Sequence, residues 1–166
     1  GFAGSAVAEP PGVGEEQEVL PKRVWIDADA ACGVSGRVDP DDCFALVYLQ
    51  SRPEMEIVGV STVFGNAPLE QTDRVAREIV AGVVPVYRGA ASPGAVARTP
   101  ASKALAQALE DGPLTLLALG PLTNLDAAFA LHPALVGRVE ELIAVMGKRE
   151  GHLFHPSEGS AGAAFF

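Results

Sequence analysis

A run of apolar residues at 24–26 leads directly into two carboxylates separated by one residue, Asp27 and Asp29. Such a run predicts a buried strand, and α/β proteins bind their ligands at the carboxyl ends of buried strands. A second acidic pair, Asp41 and Asp42, follows an eleven-residue loop and opens a predicted helix. Four acidic side chains at one strand end repel one another unless a cation lies among them. Oxygen ligands suit a hard ion such as Ca²⁺ or Mg²⁺, so the pattern predicts a metal site.

Apolar segments and turn signals alternate along the chain from Arg23 onward. The predicted strands lie at 24–29, 56–63, 84–87, 114–119 and 142–146, and the predicted helices at 41–52, around 75–80 with Gly82 as the closing residue, at 100–110 after Thr99 as N-cap, and at 122–131. The helix at 41–52 is apolar nearly all round, so we expect it to be buried. Strands that alternate with helices are typical of parallel sheets. We therefore predict an α/β fold, a largely parallel open sheet with helices on both faces.

Composition narrows the class of partner. The chain has 166 residues, of which 48% are hydrophobic and 20% charged, as expected for one globular domain with a substantial core. It carries 12 basic and 21 acidic residues, a formal net charge of −9, so we expect no nucleic-acid partner. No apolar run approaches the roughly 20 residues that span a bilayer, so we expect no membrane segment either. A small neutral or cationic ligand fits better.

Residues 1–22 differ in composition from the remainder and are interpreted as a flexible tail or a signal-peptide remnant, with 23–166 as the domain. The tripeptide at 6–8, Ala-Val-Ala, matches the small-x-small pattern of a cleavage site. The basic region of a signal peptide and most of its apolar region are absent, so a flexible cytosolic tail is the alternative. Localisation stays open between the cytoplasm and, if residues 1–8 are such a remnant, an exported or periplasmic location.

Two phosphate chemistries are disfavoured. The segment Gly33-Val34-Ser35-Gly36 lacks both a following Lys-Ser/Thr and the G-x-G-x-x-G spacing of phosphate-binding loops. A phosphatase built on the Asp-x-Asp of residues 27–29 needs Lys and Thr partners, and motifs that would supply them are not evident. Neither a nucleotide-phosphate cradle nor phosphoryl transfer is the favoured interpretation.

Four segments together carry a resemblance to a known family. They are Ile26-Asp27-Ala28-Asp29, Asp41-Asp42-Cys43-Phe44-Ala45-Leu46, Gly59-Val60-Ser61-Thr62-Val63-Phe64-Gly65-Asn66 and Leu117-Ala118-Leu119-Gly120-Pro121-Leu122-Thr123-Asn124-Leu125. In this order and spacing, and with the later Met146-Gly147, they resemble the inosine-uridine-preferring nucleoside hydrolases over residues 23–166. The resemblance implies a nucleoside-hydrolase-like, Rossmann-like fold. It also implies hydrolysis of the N-glycosidic bond of ribonucleosides with tightly held Ca²⁺, giving ribose and free base, as in purine and pyrimidine salvage.

The resemblance also assigns roles to individual residues. It implies that Asp29 binds the metal and acts as general base on a water whose pKa the ion lowers. Asp42 would be a second metal ligand, and Leu119 would offer its backbone carbonyl to Ca²⁺. Three further roles are implied: Asp41 would hold the ribose hydroxyls, Asn66 would make a polar contact near the sugar, and Asp27 would support the metal ligands from behind.

The chain departs from the family pattern in two places. The connection at 30–40 is longer than the family's, and we expect it to lie against the ribose site, where Asp39 is a candidate to replace an expected ligand. Family members also have a C-terminal half with another metal-binding Asp and the Asn and Glu that grip the ribose. We therefore expect the 166 residues alone to be catalytically incompetent, and to work as a homo-oligomer or with a complementing C-terminal chain.

Several alternatives remain open at this stage. The chain can instead be a non-catalytic subunit of this fold, or a module that binds a sugar or a cation only. Cys32 and Cys43 bracket the long connection and are either two reduced thiols, the commoner case, or a disulfide that pins it in an exported protein. His152 and His155 are interpreted as part of a substrate-side loop, with a zinc pair as the alternative.

Overall fold

A computed structural model describes residues 20–94 and 98–146 of the chain. Its strands are β1 (Lys22–Ala28), β2 (Met55–Thr62), β3 (Val86–Arg88), β4 (Leu114–Ala118) and β5 (Val139–Ala144). Its helices are α1 (Asp41–Gln50), α2 (Leu69–Val80), α3 (Pro100–Glu110) and α4 (Thr123–Leu131), followed by a 3₁₀ helix (Pro133–Arg138). The predicted alternation of strands and helices is confirmed.

The five strands form one sheet in the order β3-β2-β1-β4-β5, and every neighbouring pair is parallel. The chain runs outward from the central strand β1 to β3, then crosses to β4 on the other side of β1. The strand order therefore reverses between β1 and β4. In open α/β sheets the crevice outside the carboxyl ends of the strands at such a reversal is where ligands bind.

Helices cover both faces of the sheet, as predicted. Alternate residues of β1 point to opposite faces, so Val24 and Ile26 pack with α1 and α2 while Trp25 packs with α3 and α4. The buried helix residues on the first face are Cys43, Leu46, Val75, Ala76 and Val80, and those on the second are Leu105, Ala108, Leu109, Leu125 and Ala128. Both cores hold β1 rigidly, and the end of β1 carries the acidic residues.

The predicted start of α3 is confirmed in atomic detail. The Thr99 side chain accepts a hydrogen bond from the Ser102 N–H at 3.0 Å, and the Ser102 hydroxyl accepts the Thr99 N–H at 3.0 Å. This reciprocal capping box satisfies two donors that a helix start otherwise leaves open. The end of α2 differs slightly from the prediction, because Ala81, with φ of 47°, takes the left-handed position immediately before Gly82.

Two predictions about elements were wrong. The helix α1 is not buried all round: Phe44, Val47 and Tyr48 are between 58% and 69% exposed, because only one side of α1 faces the sheet. The last strand was placed at 142–146 but runs from Val139 to Ala144. Its parallel pairing with β4 begins at Leu114 and Val139. Glu140 and Glu141 separate Val139 from the apolar residues that follow, so the apolar pattern alone did not indicate where the strand begins.

Cys32 and Cys43 are joined by a disulfide with 6.3 Å between their Cα atoms. Of the two alternatives left open for these residues, the structure therefore has the disulfide, and the bond links the 30–40 connection to α1. Within the described ranges, no helix has the length and apolarity needed to cross a membrane. The predictions for the tail up to residue 19, for Gly147 and for His152 and His155 lie outside the described residues.

Candidate functional site

The acidic residues of the site meet at the carboxyl end of β1. Asp29 lies one residue beyond the strand, and its main-chain N–H donates a hydrogen bond to Oδ2 of Asp42 at 2.7 Å. The carboxylate of Asp29 in turn accepts the main-chain N–H of Asn66 on its Oδ2 at 2.8 Å. Asp42 is 2% exposed and Asp29 is 8% exposed. The structure thus brings two predicted metal ligands together in a nearly closed environment.

Glycines on two neighbouring loops make room for the Asp29 carboxylate. A Cβ atom at Gly120 would lie 3.1 Å from Cγ of Asp29 and 2.8 Å from Cγ1 of Val63. A Cβ atom at Gly65, where φ is 149°, would overlap Oδ2 of Asp29. Both glycines belong to motifs singled out in the sequence, and their lack of a side chain is what lets the loops after β2 and β4 close on Asp29.

Asp27 lies deeper, under the site, and organises the ends of the strands. Its Oδ1 accepts hydrogen bonds from the Ser61 hydroxyl and from the Asn124 amide, the latter at 2.7 Å. Its main-chain carbonyl accepts the N–H of Leu119 at 2.8 Å, which places the peptide of Leu119 beside the end of β1. The Trp25 indole donates to the same Ser61 hydroxyl at 2.9 Å. The supporting role expected for Asp27 stays a prediction.

Asn124 is the residue of this network for which no role was predicted. Its amide nitrogen donates to Asp27 and to the Thr62 carbonyl, and its amide oxygen accepts the Ala90 N–H at 2.9 Å. The side chain is fully buried, and a Cβ atom at Gly89 would collide with it. Thr123, Asn124 and Asp126 are all polar and lie in the first turn of α4, so the sequence does not single out Asn124; its burial does, because a buried amide must find partners.

Burial dominates the electrostatics of the three buried carboxyl groups of the site, those of Asp27, Asp29 and Asp42. Burial raises the pKa of Asp27 to about 7, against the lowering effect of its hydrogen bonds from Ser61 and Asn124. Burial also raises the pKa of Asp29 and that of Asp42, and the charge of Asp29 raises the pKa of Asp42 further. Oδ2 of Asp27 is buried and has no hydrogen-bond partner among the described residues. The site therefore favours protons or a cation over three free negative charges.

Asp41 and Asn66 lie at the rim of the same site. Asp41 is exposed, and its Oδ1 accepts the main-chain N–H of Asp42 at 2.9 Å. The Asn66 side chain pairs with the main chain of Asp39: its Oδ1 accepts the Asp39 N–H at 2.9 Å and its Nδ2 donates to the Asp39 carbonyl at 2.6 Å. Oδ1 of Asp39 accepts the Asp41 N–H at 3.3 Å. The sugar contacts proposed for Asp41 and Asn66 stay predictions.

The donors near Asp29 fit a hard cation. The candidate metal ligands are all oxygen atoms, those of the Asp29 and Asp42 carboxylates, and the peptide of Leu119 lies nearby. A cation between two buried carboxylates would relieve the repulsion between their negative charges. Among residues 20–94 and 98–146, however, no group of three or more His, Cys, Asp or Glu side chains is arranged to hold a metal. Main-chain oxygens, water and substrate would have to complete the coordination. Oδ1 of Asp39, the candidate to replace a metal ligand, accepts the main-chain N–H of Asp41 at the start of α1.

The family model for inosine-uridine preferring nucleoside hydrolases matches residues 24–158, so the chain belongs to that family. An inosine-uridine preferring nucleoside hydrolase of Leishmania major is 28% identical over 77% of this chain and 49% of its own length. Uridine nucleosidase 1 of Arabidopsis thaliana is 31% identical over 64% of this chain and 42% of its own. The chain thus spans about half the length of these curated relatives.

Solved structures of the same class share the fold. A plant nucleoside hydrolase superposes with a TM-score of 0.64 at 25% identity, over 77% of this chain and 48% of the other. An inosine-guanosine nucleoside hydrolase gives a TM-score of 0.65 at 21% identity, over 79% of this chain and 51% of the other. The predicted family and the predicted α/β fold are both confirmed.

Proposed function

We propose that this chain supplies the metal-holding and proton-accepting part of a ribonucleoside hydrolase that depends on Ca²⁺. The observation that carries the proposal is the placement of Asp29. Its carboxylate lies where the strand order reverses, accepts a hydrogen bond from the Asn66 N–H and is enclosed by Gly65 and Gly120. The carboxylate of Asp42 accepts a hydrogen bond from the main-chain N–H of Asp29. A side chain held this firmly at the ligand-binding edge of an α/β sheet is suited to act on a bound water.

The chemistry divides between Asp29 and its neighbours. Ca²⁺ held by Asp29, Asp42 and the Leu119 carbonyl would lower the pKa of a water molecule and orient it. The Asn66 N–H fixes Oδ2 of Asp29, so Oδ1 would be available to take a proton from a water molecule that attacks the anomeric carbon. The N-glycosidic bond breaks, its electron pair leaves with the base, which takes up a proton from solvent, and ribose is formed. Asp29 then returns its proton to solvent. The nearby carboxylate charge stabilises the positive charge that develops on the sugar ring.

Asp41 fits a substrate-binding role by its exposure. It lies at the N-terminus of α1 beside the buried Asp42, and its carboxylate is open to solvent. A carboxylate can accept hydrogen bonds from two neighbouring hydroxyl groups, as a ribose presents them. We therefore assign the sugar to the outer side of the site and the metal to its inner side.

We also propose that the surface around β5 is covered by further polypeptide, either a second copy or a complementing C-terminal chain. Leu142 and Ile143 point to opposite faces of the sheet and both are about half exposed, and Val145 and Met146 are exposed as well. An edge strand that exposes apolar side chains on both faces, here beside the exposed Glu140 and Glu141, invites pairing with more protein. The share of the curated relatives that lies beyond this chain is large enough to provide it.

A non-catalytic module that binds a sugar or cation is the second candidate. It is favoured by the fact that the described residues bring only two carboxylate ligands together. The two candidates differ in turnover, because only the first predicts cleavage of the N-glycosidic bond.

The deciding experiment measures ribose release from inosine and uridine. The protein is tested as the 166-residue chain and as the same chain with any polypeptide that its gene encodes downstream, with Ca²⁺ and with a chelator. Asp29→Asn should abolish turnover in whichever form is active, while Asp111→Asn, at the exposed end of α3, should retain it. Cation binding without turnover in every form would favour the module, and turnover unaffected by Asp29→Asn would refute the assignment of the base.

A further inference from the structure

Residues 30–40 form a loop that is anchored at both ends, and we refer to them as the clamp loop. Its first two residues, Ala30 and Ala31, are fully buried, and the next residue, Cys32, is bonded covalently to Cys43 of α1. At the other end, Asp39 is paired with Asn66. The first anchor is a covalent bond and the second is a pair of hydrogen bonds at the protein surface.

Asn66 connects this loop to the site. The side chain of Asn66 is bonded to the loop through both amide atoms: Oδ1 lies 2.9 Å from the Asp39 main-chain nitrogen and Nδ2 lies 2.6 Å from the Asp39 carbonyl oxygen. The main-chain N–H of the same residue donates to Oδ2 of Asp29 at 2.8 Å. Gly65, which precedes Asn66 and has a φ of 149°, allows the backbone there to reorient more freely than another residue would. The position of the Asn66 N–H therefore depends on what grips its side chain.

We propose that the clamp loop positions Asp29 through Asn66, and that the redox state of the Cys32–Cys43 pair sets how firmly it does so. Asp39 and Asn66 are positioning residues in this scheme, and the disulfide is the switch. The effect on Ca²⁺ affinity rests on the proposed function, whereas the effect on Asn66 itself does not.

The physical basis is the entropy of the loop. With the disulfide intact, the loop is confined before the Asp39 pair forms, so two exposed hydrogen bonds suffice to hold it. With the disulfide cleaved, the same two bonds must order a longer free segment, and exposed hydrogen bonds contribute little net stability. The pair then opens more often, and the Asn66 N–H spends less time on Asp29.

The chemical step is a two-electron reduction. A dithiol such as dithiothreitol attacks the disulfide, the S–S bond breaks through a mixed disulfide, and Cys32 and Cys43 leave as two thiols. The dithiol supplies both electrons and both protons and becomes a cyclic disulfide. The reaction reverses when an oxidised dithiol is in excess.

The first experiment measures hydrogen exchange at the Asn66 amide by NMR, in the oxidised protein and after reduction by dithiothreitol, with intact mass to confirm the two thiols. We expect exchange at Asn66 to become about ten-fold faster, while the Leu116 amide in β4 stays unchanged. Cys32→Ser combined with Cys43→Ser should show the fast exchange with or without dithiothreitol. Asn66→Ala, which keeps the main-chain N–H, should show it too, and reduction should add little further.

The second experiment titrates Ca²⁺ by calorimetry into the same proteins. Reduction and Asn66→Ala should each weaken binding by about ten-fold, as loss of a group that orients a metal ligand commonly does. Unchanged exchange at Asn66 after confirmed reduction would overturn the proposal, and so would equal acceleration of Leu116, which signals general unfolding. An oxidised protein that binds no Ca²⁺ would refute the proposed function. The hydrogen-exchange result at Asn66 would still test whether the clamp loop positions the Asn66 N–H.

Discussion

The main-chain N–H of Asp29 donates a hydrogen bond of 2.7 Å to the carboxylate of Asp42, which joins the end of the central strand to the first turn of α1. The bond fixes the direction of the Asp42 side chain. It also holds two buried carboxyl groups close together, and burial raises the pKa of each. This hydrogen bond therefore keeps the two carboxyl groups close together although their negative charges repel each other. A cation or a proton is needed to neutralise that charge.

Asp29→Asn and Asp42→Asn should each weaken Ca²⁺ binding by at least about a hundred-fold. Each substitution removes one of two buried carboxylate donors, and direct ligands matter more than the groups behind them. Calorimetric titration of the metal into purified protein measures the effect. Asp111→Asn, an exposed carboxylate at the end of α3, is the matched control and should bind as the wild type does. Unchanged affinity in both site variants would remove the metal assignment.

The metal-free protein should lose stability as the pH rises from about 5 to about 8. The pKa of Asp27 is raised from 3.8 to about 7 in the folded state, so between these values the folded chain keeps a proton that the unfolded chain has released. The slope is at most about 1.4 kcal/mol per pH unit for each such proton. Asp29 and Asp42 act in the same direction, because their pKa values are also raised, that of Asp42 to about 8, which extends the loss of stability to that pH.

Denaturant melts across this pH range, with and without Ca²⁺, check the pH prediction. Asp27→Asn resembles the protonated form and should flatten the slope, and added Ca²⁺ should restore stability most at high pH, where the carboxylates are charged. A metal-free protein that gains stability on going from about pH 5 to about pH 8 would contradict the raised pKa values.

The sequence was sufficient to predict the parallel sheet, because apolar strands and amphipathic helices have different periods. The capping residues of α3 were also readable, since Thr99 and Pro100 have strong positional preferences. The start of β5 was not, because Glu140 and Glu141 interrupt its apolar pattern and only the pairing with β4 defines it. The exposure of α1 depends on what packs against its outer side, which the composition of a helix does not specify.

Site features that depend on the type of a residue could be predicted from the sequence. Features that depend on which distant residues come into contact could not. The acidic pattern predicted that Asp29 and Asp42 lie together, and the structure brings them together; their metal-binding role stays a prediction. The engagement of Asn66 by Asp39 depends on the path of an inserted loop, and the network of Asn124 joins residues up to 97 positions apart. Contacts of such separation have no local signature in a single sequence.

Gly120→Ala should weaken Ca²⁺ binding by about ten-fold with a smaller effect on folding. The added methyl group would lie 2.8 Å from Cγ1 of Val63 and 3.1 Å from Cγ of Asp29, so the Val63 side chain must move and the carboxylate must shift by a few tenths of an ångström. Gly137→Ala is the matched control, because nothing lies within 4 Å of a Cβ atom there. Titration and thermal melts of both variants separate the two effects. Equal Ca²⁺ affinity in the two would show that the contact with Asp29 tolerates the methyl group.

Asn124→Ala should lower the free energy of unfolding by about 3 kcal/mol, because it leaves several buried partners without a hydrogen bond. The Ala90 N–H loses its acceptor, and Asp27 and the Thr62 carbonyl each lose a donor. Urea denaturation gives the value. Gln107→Ala removes an exposed amide of α3 and should change stability by less than about 0.5 kcal/mol. A similar small change at Asn124 would mean that the network does not stabilise the strand ends.

The 166-residue chain alone should release ribose from inosine or uridine at least about a thousand-fold more slowly than a form completed by the polypeptide that covers β5. Only two carboxylate ligands meet in the described residues, and each positioned group missing from a site costs about a hundred-fold or more in rate. Ribose release is measured for the chain alone, for the chain extended by any downstream polypeptide, and for the two pieces mixed. Rapid turnover by the short chain would mean that Asp29, Asp42 and Leu119 suffice, with water and substrate completing the coordination, and that the apolar edge at Leu142 and Ile143 serves another purpose.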